Sequence, residues 1–304
     1  MDDLKQSLQH DLALAGFKSE VVPIRHLRDL QSELQTLTSN NDIPKEFYDD
    51  QFSDFCFQLP EILPAAKSII VIASHQPNLI LKFHLNGKKI PVVLPSNYPD
   101  ETDRKFLKII STFLVKKGYG MCEAVLPVKA LAVHAALAFY GRNNIAYIDK
   151  WGSYFRLKAF FSDMPCSSDT WREFVLSDIC KKCKACLNQC PTQAICRDRF
   201  LIKHERCLTY INESVNDFPE WIEPEWHHCL IGCMVCQDVC PLNKEQKNMS
   251  RESYEFSEDE TRLLLKGKTR NKLPYHIALK LKKLGILDDY VAIQRNLKAL
   301  IYKN

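Results

Sequence analysis

No run of eighteen apolar residues occurs in the sequence, so no stretch is long enough to cross a bilayer as a helix. The opening Met1-Asp2-Asp3-Leu4-Lys5 lacks the basic-then-apolar layout of a signal peptide. An even cysteine count is also missing. Thirteen cysteines cannot all pair, which argues against a secreted disulfide framework and for a reducing, cytoplasmic and anaerobic setting. Overall charge is weak at +4, yet from Arg262 to Lys303 eleven Lys and Arg stand against Asp288 and Asp289. That end reads either as a surface for an acidic partner or as solvated helical faces. No aromatic–basic module for nucleic-acid recognition is present. What remains is a globular chain of 304 residues, 46% hydrophobic, with enough core for one large or two ordinary domains.

The informative feature is a crowded cysteine pattern. Residues 180–190 contain Cys180, Cys183, Cys186 and Cys190, closed by Pro191; a half-copy follows as Cys233, Cys236 and Cys240 before Pro241, with Cys207 between the two. The spacing C-x2-C-x2-C-x3-C-P is that of bacterial ferredoxins, in which three close thiolates hold one 4Fe–4S cluster and the fourth crosses to the other. By that crossing, Cys180, Cys183, Cys186 and Cys240 hold one cluster. Cys233, Cys236, Cys207 and Cys190 hold the second. Zinc ribbons also use soft thiolates, but as two C-x2-C pairs around a longer spacer, and this run is too crowded for that. Cys56, Cys122, Cys166, Cys196 and Cys229 fall outside the pattern and read as small hydrophobes.

Ahead of the cysteines, Leu4, Leu8, Leu12 and Ala15 mark one face of a helix over 2–15, and Leu27, Leu30, Leu34 and Leu37 mark another over 26–37. Ser19 to Ile24 reads as a short strand. Lys67 to Ala73 is β-branched without alternation, the pattern of a strand buried on both faces. Asn86-Gly87 is a hairpin signal between strands at 79–85 and 88–94. A helix running to about Lys117 stops at Gly118. Pro127 opens a helix through Leu131, Ala135 and Ala138 that is small and apolar nearly all round, hence buried. The turn Gly141-Arg142-Asn143-Asn144 after it reads either as a polar edge for a cofactor or as a capped turn. Past the clusters, Trp221, Trp226, His227 and His228 offer an aromatic shield for the metal centres or ordinary packing.

Taken together, Cys190-Pro-Thr-Gln-Ala-Ile195, Cys207-Leu-Thr-Tyr210 and Gly232 to Asn243 resemble the cluster domain of the epoxyqueuosine reductases, distant relatives of the reductive dehalogenases. Leu131 to Asn144 and Gly152-Ser153 resemble that family's corrinoid-binding stretch more loosely. The resemblance implies an α/β (α+β) corrinoid-binding domain of nitroreductase-like type over 1–165. A ferredoxin-like double-cluster domain would occupy 166–250 and a short basic helical end 251–304. It further implies cobalamin held near Gly141, Arg142, Asn143, Asn144, Gly152 and Ser153, with Tyr98 as a further contact. Electrons would come from a low-potential ferredoxin or flavodoxin and would remove an oxygen or halide from a small organic substrate. The family's proton-donating aspartate has no counterpart here. Counting back lands on Cys122 or Ala124, and Glu123 between them becomes the expected general acid, if burial raises its pKa. Family members also grip tRNA with C-terminal helical repeats; with room for two or three helices after the clusters, tRNA is a doubtful partner. A reading from another class is a two-cluster electron carrier whose front domain binds flavin or a protein partner.

Overall fold

The structure is a computed structural model that describes residues 2–95, 101–246, 253–267 and 269–302; Tyr98 lies outside the described residues. Leu8 and Leu12 bury one face of α1 (Asp2–Leu14), which folds back on β1 (Phe17–Pro23). Leu27, Leu30 and Leu34 bury one face of α2 (His26–Ser39). The short α3 (Lys45–Gln51), unforeseen in the sequence, buries none of its side chains fully. Next comes β2 (Ser68–His75), buried along nearly its whole length. Its Ile69, Val71 and Ala73 enter one core, while Ile70 and Ile72 enter the other. The lack of alternation in the sequence thus reflects two apolar faces.

The hairpin of β3 (Leu79–Leu85) and β4 (Lys88–Leu94) turns at Asn86 and Gly87, both at positive φ. α4 (Glu101–Lys116) packs with α1. Then come β5 (Met121–Glu123), α5 (Val128–His134), β6 (Phe139–Tyr140), β7 (Ala146–Tyr147) and β8 (Phe155–Ser162). The main sheet has the order β1-β2-β8-β5, antiparallel throughout, with α1 and α4 on one face and α2 and α5 on the other. β8, not anticipated from the sequence, is the strand that joins β2 to β5.

α5 is shorter than the sequence pattern suggests. Ala136 turns to φ +63°, Leu137 N–H donates to the Ala132 carbonyl at 2.9 Å, and Ala136 N–H to Val133 at 3.1 Å. This is a Schellman stop with alanine where glycine is usual, which is why the sequence does not announce it. The alanine costs about 1–2 kcal/mol in that conformation. After the stop, Ala138, Tyr140 and Ala146 stay in the core with β2 and β8, and Arg142 reaches Cys180.

The cysteine segment contains four short helices: α6 (Ile179–Lys182), α7 (Ala185–Gln189), α8 (Leu208–Glu213) and α9 (Val235–Asp238). After it, β9 (Ser253–Phe256) pairs in parallel with β3, and α10 (Glu258–Leu265), α11 (Tyr275–Lys283) and α12 (Tyr290–Ile301) complete the chain. Ser257 and Glu260 form a reciprocal capping box at the start of α10. These last helices share one core with the hairpin: Phe83, Leu94 and Phe256 pack with Leu264, Leu281 and Leu297. Asn296 on α12 donates to the carbonyls of Asn212 and Leu230, each at 2.8 Å, so the end of the chain is bolted to the cysteine segment.

Phe256 is fully buried and stacked on Phe83 at 4.7 Å. Phe256→Ala is expected to cost about 3–5 kcal/mol in denaturant unfolding. Amide protection should fall in the hairpin and in α10–α12 together; protection lost in the helices alone would show that the two do not share a core.

Candidate metal centres and the adjoining cavity

Proline shapes the cysteine loops. Cys190 caps the end of α7 in extended conformation, with φ/ψ of −66°/110°, and Cys240, two residues past the end of α9, is extended at −73°/125°, because the residue before a proline is driven out of the helical region.

The structure brings the cysteines together in two groups. Burial pushes the Cys186 thiol up to about 11, and the charges of Cys240, Cys180 and Cys183 add to it. Burial likewise raises Cys240, with Cys180 and Cys183 as its charged neighbours. In the other group, burial raises Cys207, Cys233 and Cys236; Cys190 is a charged neighbour of Cys207, and both are neighbours of Cys233. Cys190, Cys207, Cys233 and Cys236 line one cavity of about 330 Å³. Buried thiols that would repel one another as thiolates suit a polynuclear cation among them, which supplies the missing positive charge. The donor set fits iron–sulfur clusters.

Aromatics stand around that cavity, of which Phe47 and Phe52 go unmarked in the sequence while Trp226 belongs to the stretch it marks. Phe47 of α3 stacks on His204 at 3.8 Å and meets Tyr210 and Phe52 edge-on, each at 5.4 Å. Phe218 and Trp226 pack with Leu208, Ile211 and Cys233 on another side. His228 Nδ1 faces the Trp226 carbonyl at 2.9 Å while its Nε2 accepts the Met234 N–H at 3.0 Å, which fixes the orientation of the ring.

A second cavity, about 600 Å³, opens between the front sheet and the cysteine segment. Ala124, Ala146, Ser153 and Gly232 give it small-residue walls, and Cys233 lies on both this cavity and the first. Lys129 and Glu213 also face both. Glu213 is exposed, yet the protein atoms crowded around it, with the charge of Asp289 adding, push its carboxyl up to about 7. The atoms around Lys129, which is also exposed, lower its ammonium against the pull of Cys207.

Glu123 lines the second cavity, but its side chain is 55% exposed and ion-paired to Lys158. The burial expected of a general acid at that position is absent, because β5 is the edge strand of the main sheet and leaves Glu123 facing open space. The turn residues are also placed differently from the cofactor edge expected of them. Arg142 N–H donates to Cys180 Sγ at 3.4 Å, and its guanidinium donates to the Cys180 carbonyl at 2.8 Å. Asn143 and Asn144 line the first cavity. Gly152 and Ser153 clamp the two halves of the molecule: Ser153 N–H donates to Asn243 Oδ1 at 2.8 Å, and Ser153 Oγ donates to Gln237 Oε1 at 2.7 Å. A Cβ at Gly152 would sit 2.0 Å from Asn243 Oδ1. Space beside this glycine is thus filled by the chain itself. Among the described residues expected to hold a corrinoid, Ser153 alone lines the second cavity.

Eight cysteines in this repeated spacing, four of them lining one cavity, are characteristic of a double-cluster iron–sulfur segment. Residues 179–243 match the family described as the 4Fe-4S double cluster binding domain. In sequence and in fold the chain is epoxyqueuosine reductase-like. It is 28% identical over 199 residues to the epoxyqueuosine reductase of Atelocyanobacterium thalassa, a match covering 62% of each chain. The chain thus spans less than two thirds of that relative's length. A crystal structure of an epoxyqueuosine reductase superposes with a TM-score of 0.71 at 20% identity, covering 99% of this chain and 82% of that one. An epoxyqueuosine reductase crystallised with an epoxyqueuosine-modified tRNA-Tyr stem loop gives 0.68 at 20% identity, covering 99% and 81%. Among the described residues no helix is long and apolar enough to cross a membrane.

Gly152 has φ +59° and a blocked Cβ position, whereas Gly118 has φ +80° and open space around it. Gly152→Ala is expected to destabilise by about 2 kcal/mol or more beyond Gly118→Ala, read as the difference between their anaerobic thermal melts. Equal losses would mean that Asn243 yields without cost.

Proposed function

We propose that this chain is an iron–sulfur oxidoreductase of the epoxyqueuosine reductase type. Its front domain is read as nitroreductase-like and corrinoid-binding. The observation that carries the reading is the shared wall at Cys233, where a ligand-sized cavity meets a thiolate of the second cysteine set. Cys180, Cys183, Cys186 and Cys240 would hold one 4Fe–4S cluster, and Cys190, Cys207, Cys233 and Cys236 the other. A corrinoid would lie against the small walls of the second cavity, near Ser153 and Gly232, rather than at Gly141 or Gly152. With these groups bound, the chemistry supplied is single-electron delivery and reductive cleavage of a carbon–oxygen or carbon–halogen bond. A low-potential ferredoxin or flavodoxin fits as donor.

The chain's own residues position and protonate. Loss of an oxygen as water takes two electrons and two protons; loss of halide takes two electrons and one. Glu213, whose carboxyl sits near 7, holds a proton beside the cavity at neutral pH, and Lys129 presents a cation to the leaving anion. Glu123, held by Lys158, is the weaker candidate. The first substrate to try is an epoxyqueuosine-bearing tRNA stem loop, supported by the relative crystallised with one and by the basic charge from Arg262 onward.

The test is anaerobic reconstitution with iron, sulfide and cobalamin, then metal analysis of the desalted protein. About eight irons and one cobalt per chain are expected. Eight irons without cobalt would move the reading to a two-cluster electron carrier with a flavin or partner on its front domain. Cys207→Ala should lower iron by about one cluster, to roughly four; retention of eight would remove Cys207 from the ligand set.

Glu213→Gln should lower turnover by about 10²-fold or more, and Glu123→Gln only a few-fold, with iron content unchanged in both. As the proton-bearing form of Glu213 is lost above about pH 7, the wild-type rate should fall as pH rises through that value. Asp289→Asn removes a charge that raises the Glu213 pKa, so it should move that fall to lower pH; an unmoved profile would exclude Glu213.

A further inference from the structure

The chain after α5 meets the first cysteine loop along a short ladder of hydrogen bonds. Tyr140 N–H donates to the Val175 carbonyl at 3.0 Å, and Ser177 N–H returns a bond to the Tyr140 carbonyl at 2.9 Å. Two residues on, Arg142 N–H donates to Cys180 Sγ at 3.4 Å, and the Arg142 guanidinium donates to the Cys180 carbonyl at 2.8 Å. The ladder thus ends on sulfur. Cys180 is 6% exposed, so water competes little for that bond. Gly141 lets the chain make this approach, since a Cβ there would lie 2.5 Å from the Tyr147 ring. Arg142 Nε is buried and has no hydrogen-bond partner among the described residues. Arginine keeps its charge throughout the working pH range, and a buried N–H on a cation is costly unless negative charge lies close by. A cluster held by four thiolates, Cys180 among them, carries such charge.

We infer that Arg142 is a positioning residue for the first cluster: its main-chain N–H on Cys180 Sγ and its fixed positive charge on the Cys180 carbonyl hold that cluster's reduction potential up. The inference rests on the two-cluster reading above. A donor to a ligand sulfur disperses the charge that reduction adds, and a neighbouring cation favours the more negative state, so both raise the potential. Arg142 belongs to the front domain and Cys180 to the cysteine segment. How readily the first cluster takes an electron therefore depends on the two being docked.

The experiment is an anaerobic redox titration of the iron-loaded protein followed by electron paramagnetic resonance, with the two signals assigned by the loss of one in Cys207→Ala. Iron content of the wild type comes first: clearly fewer than about eight irons defeats the two-cluster reading itself. With that content reached, Arg142→Met, which keeps the main-chain N–H and removes the charge, is expected to shift the Cys180-bearing cluster to more negative potential and to move the other less. Arg142→Lys keeps a cation and should recover most of that shift. An unchanged potential in Arg142→Met overturns the inference, and so does a lysine value no different from the methionine one, because a purely structural role for the side chain would not track its charge. If the variants fail to load iron, wild-type protein with isotopically labelled nitrogen in its arginines alone takes their place. Pulsed paramagnetic resonance of the reduced Cys180-bearing cluster should then show coupling to a labelled nitrogen, and its absence overturns the contact.

Discussion

Thiolates repel one another, and burial makes each harder to ionise. Gathering eight of them in a segment of about sixty residues is the constraint the rest of the molecule answers. Iron supplies the central positive charge, but the remaining lone pairs on sulfur need donors. One comes from outside the cysteine segment: the Arg142 N–H donates to Cys180 Sγ at 3.4 Å.

Docking is secured on several sides by bonds that are individually modest. Ser153 and Asn243 exchange hydrogen bonds at one edge, and Asn296 reaches the carbonyls of Asn212 and Leu230 at another. Val93 accepts the Leu230 N–H at 2.8 Å, tying the hairpin in as well. Each is worth roughly 1 kcal/mol, but together they hold two cavities in register. The consequence is that Cys233 lies on the wall shared by the two cavities.

Local patterns carried much of this. Leucine spacing marked α1 and α2, unbroken β-branched residues marked β2, and Asn86-Gly87 marked the hairpin. α5 ran shorter than its pattern because an alanine at φ +63° ends it, and nothing in an alanine's chemistry announces that conformation. β8 was unread because Phe155 to Ser162 meets β2 on one side and β5 on the other, pairings between residues far apart in the chain. Glu123 looked acidic and suitably spaced, but an edge strand left it in the open with Lys158, while Glu213, unremarkable in sequence, came to lie between two cavities.

The sequence by itself determined the metal chemistry: ligand identity and spacing are local properties, and a proline after Cys190 and Cys240 dictates where each loop turns. Only the tertiary structure decided that the Arg142 N–H donates to Cys180, which carboxylate lies between two cavities, and that the glycines at 141 and 152 make room for Tyr147 and Asn243. Arg142 and Cys180 are 38 residues apart and Ser153 and Asn243 are 90, and such distances are set by packing rather than by any residue's own preference.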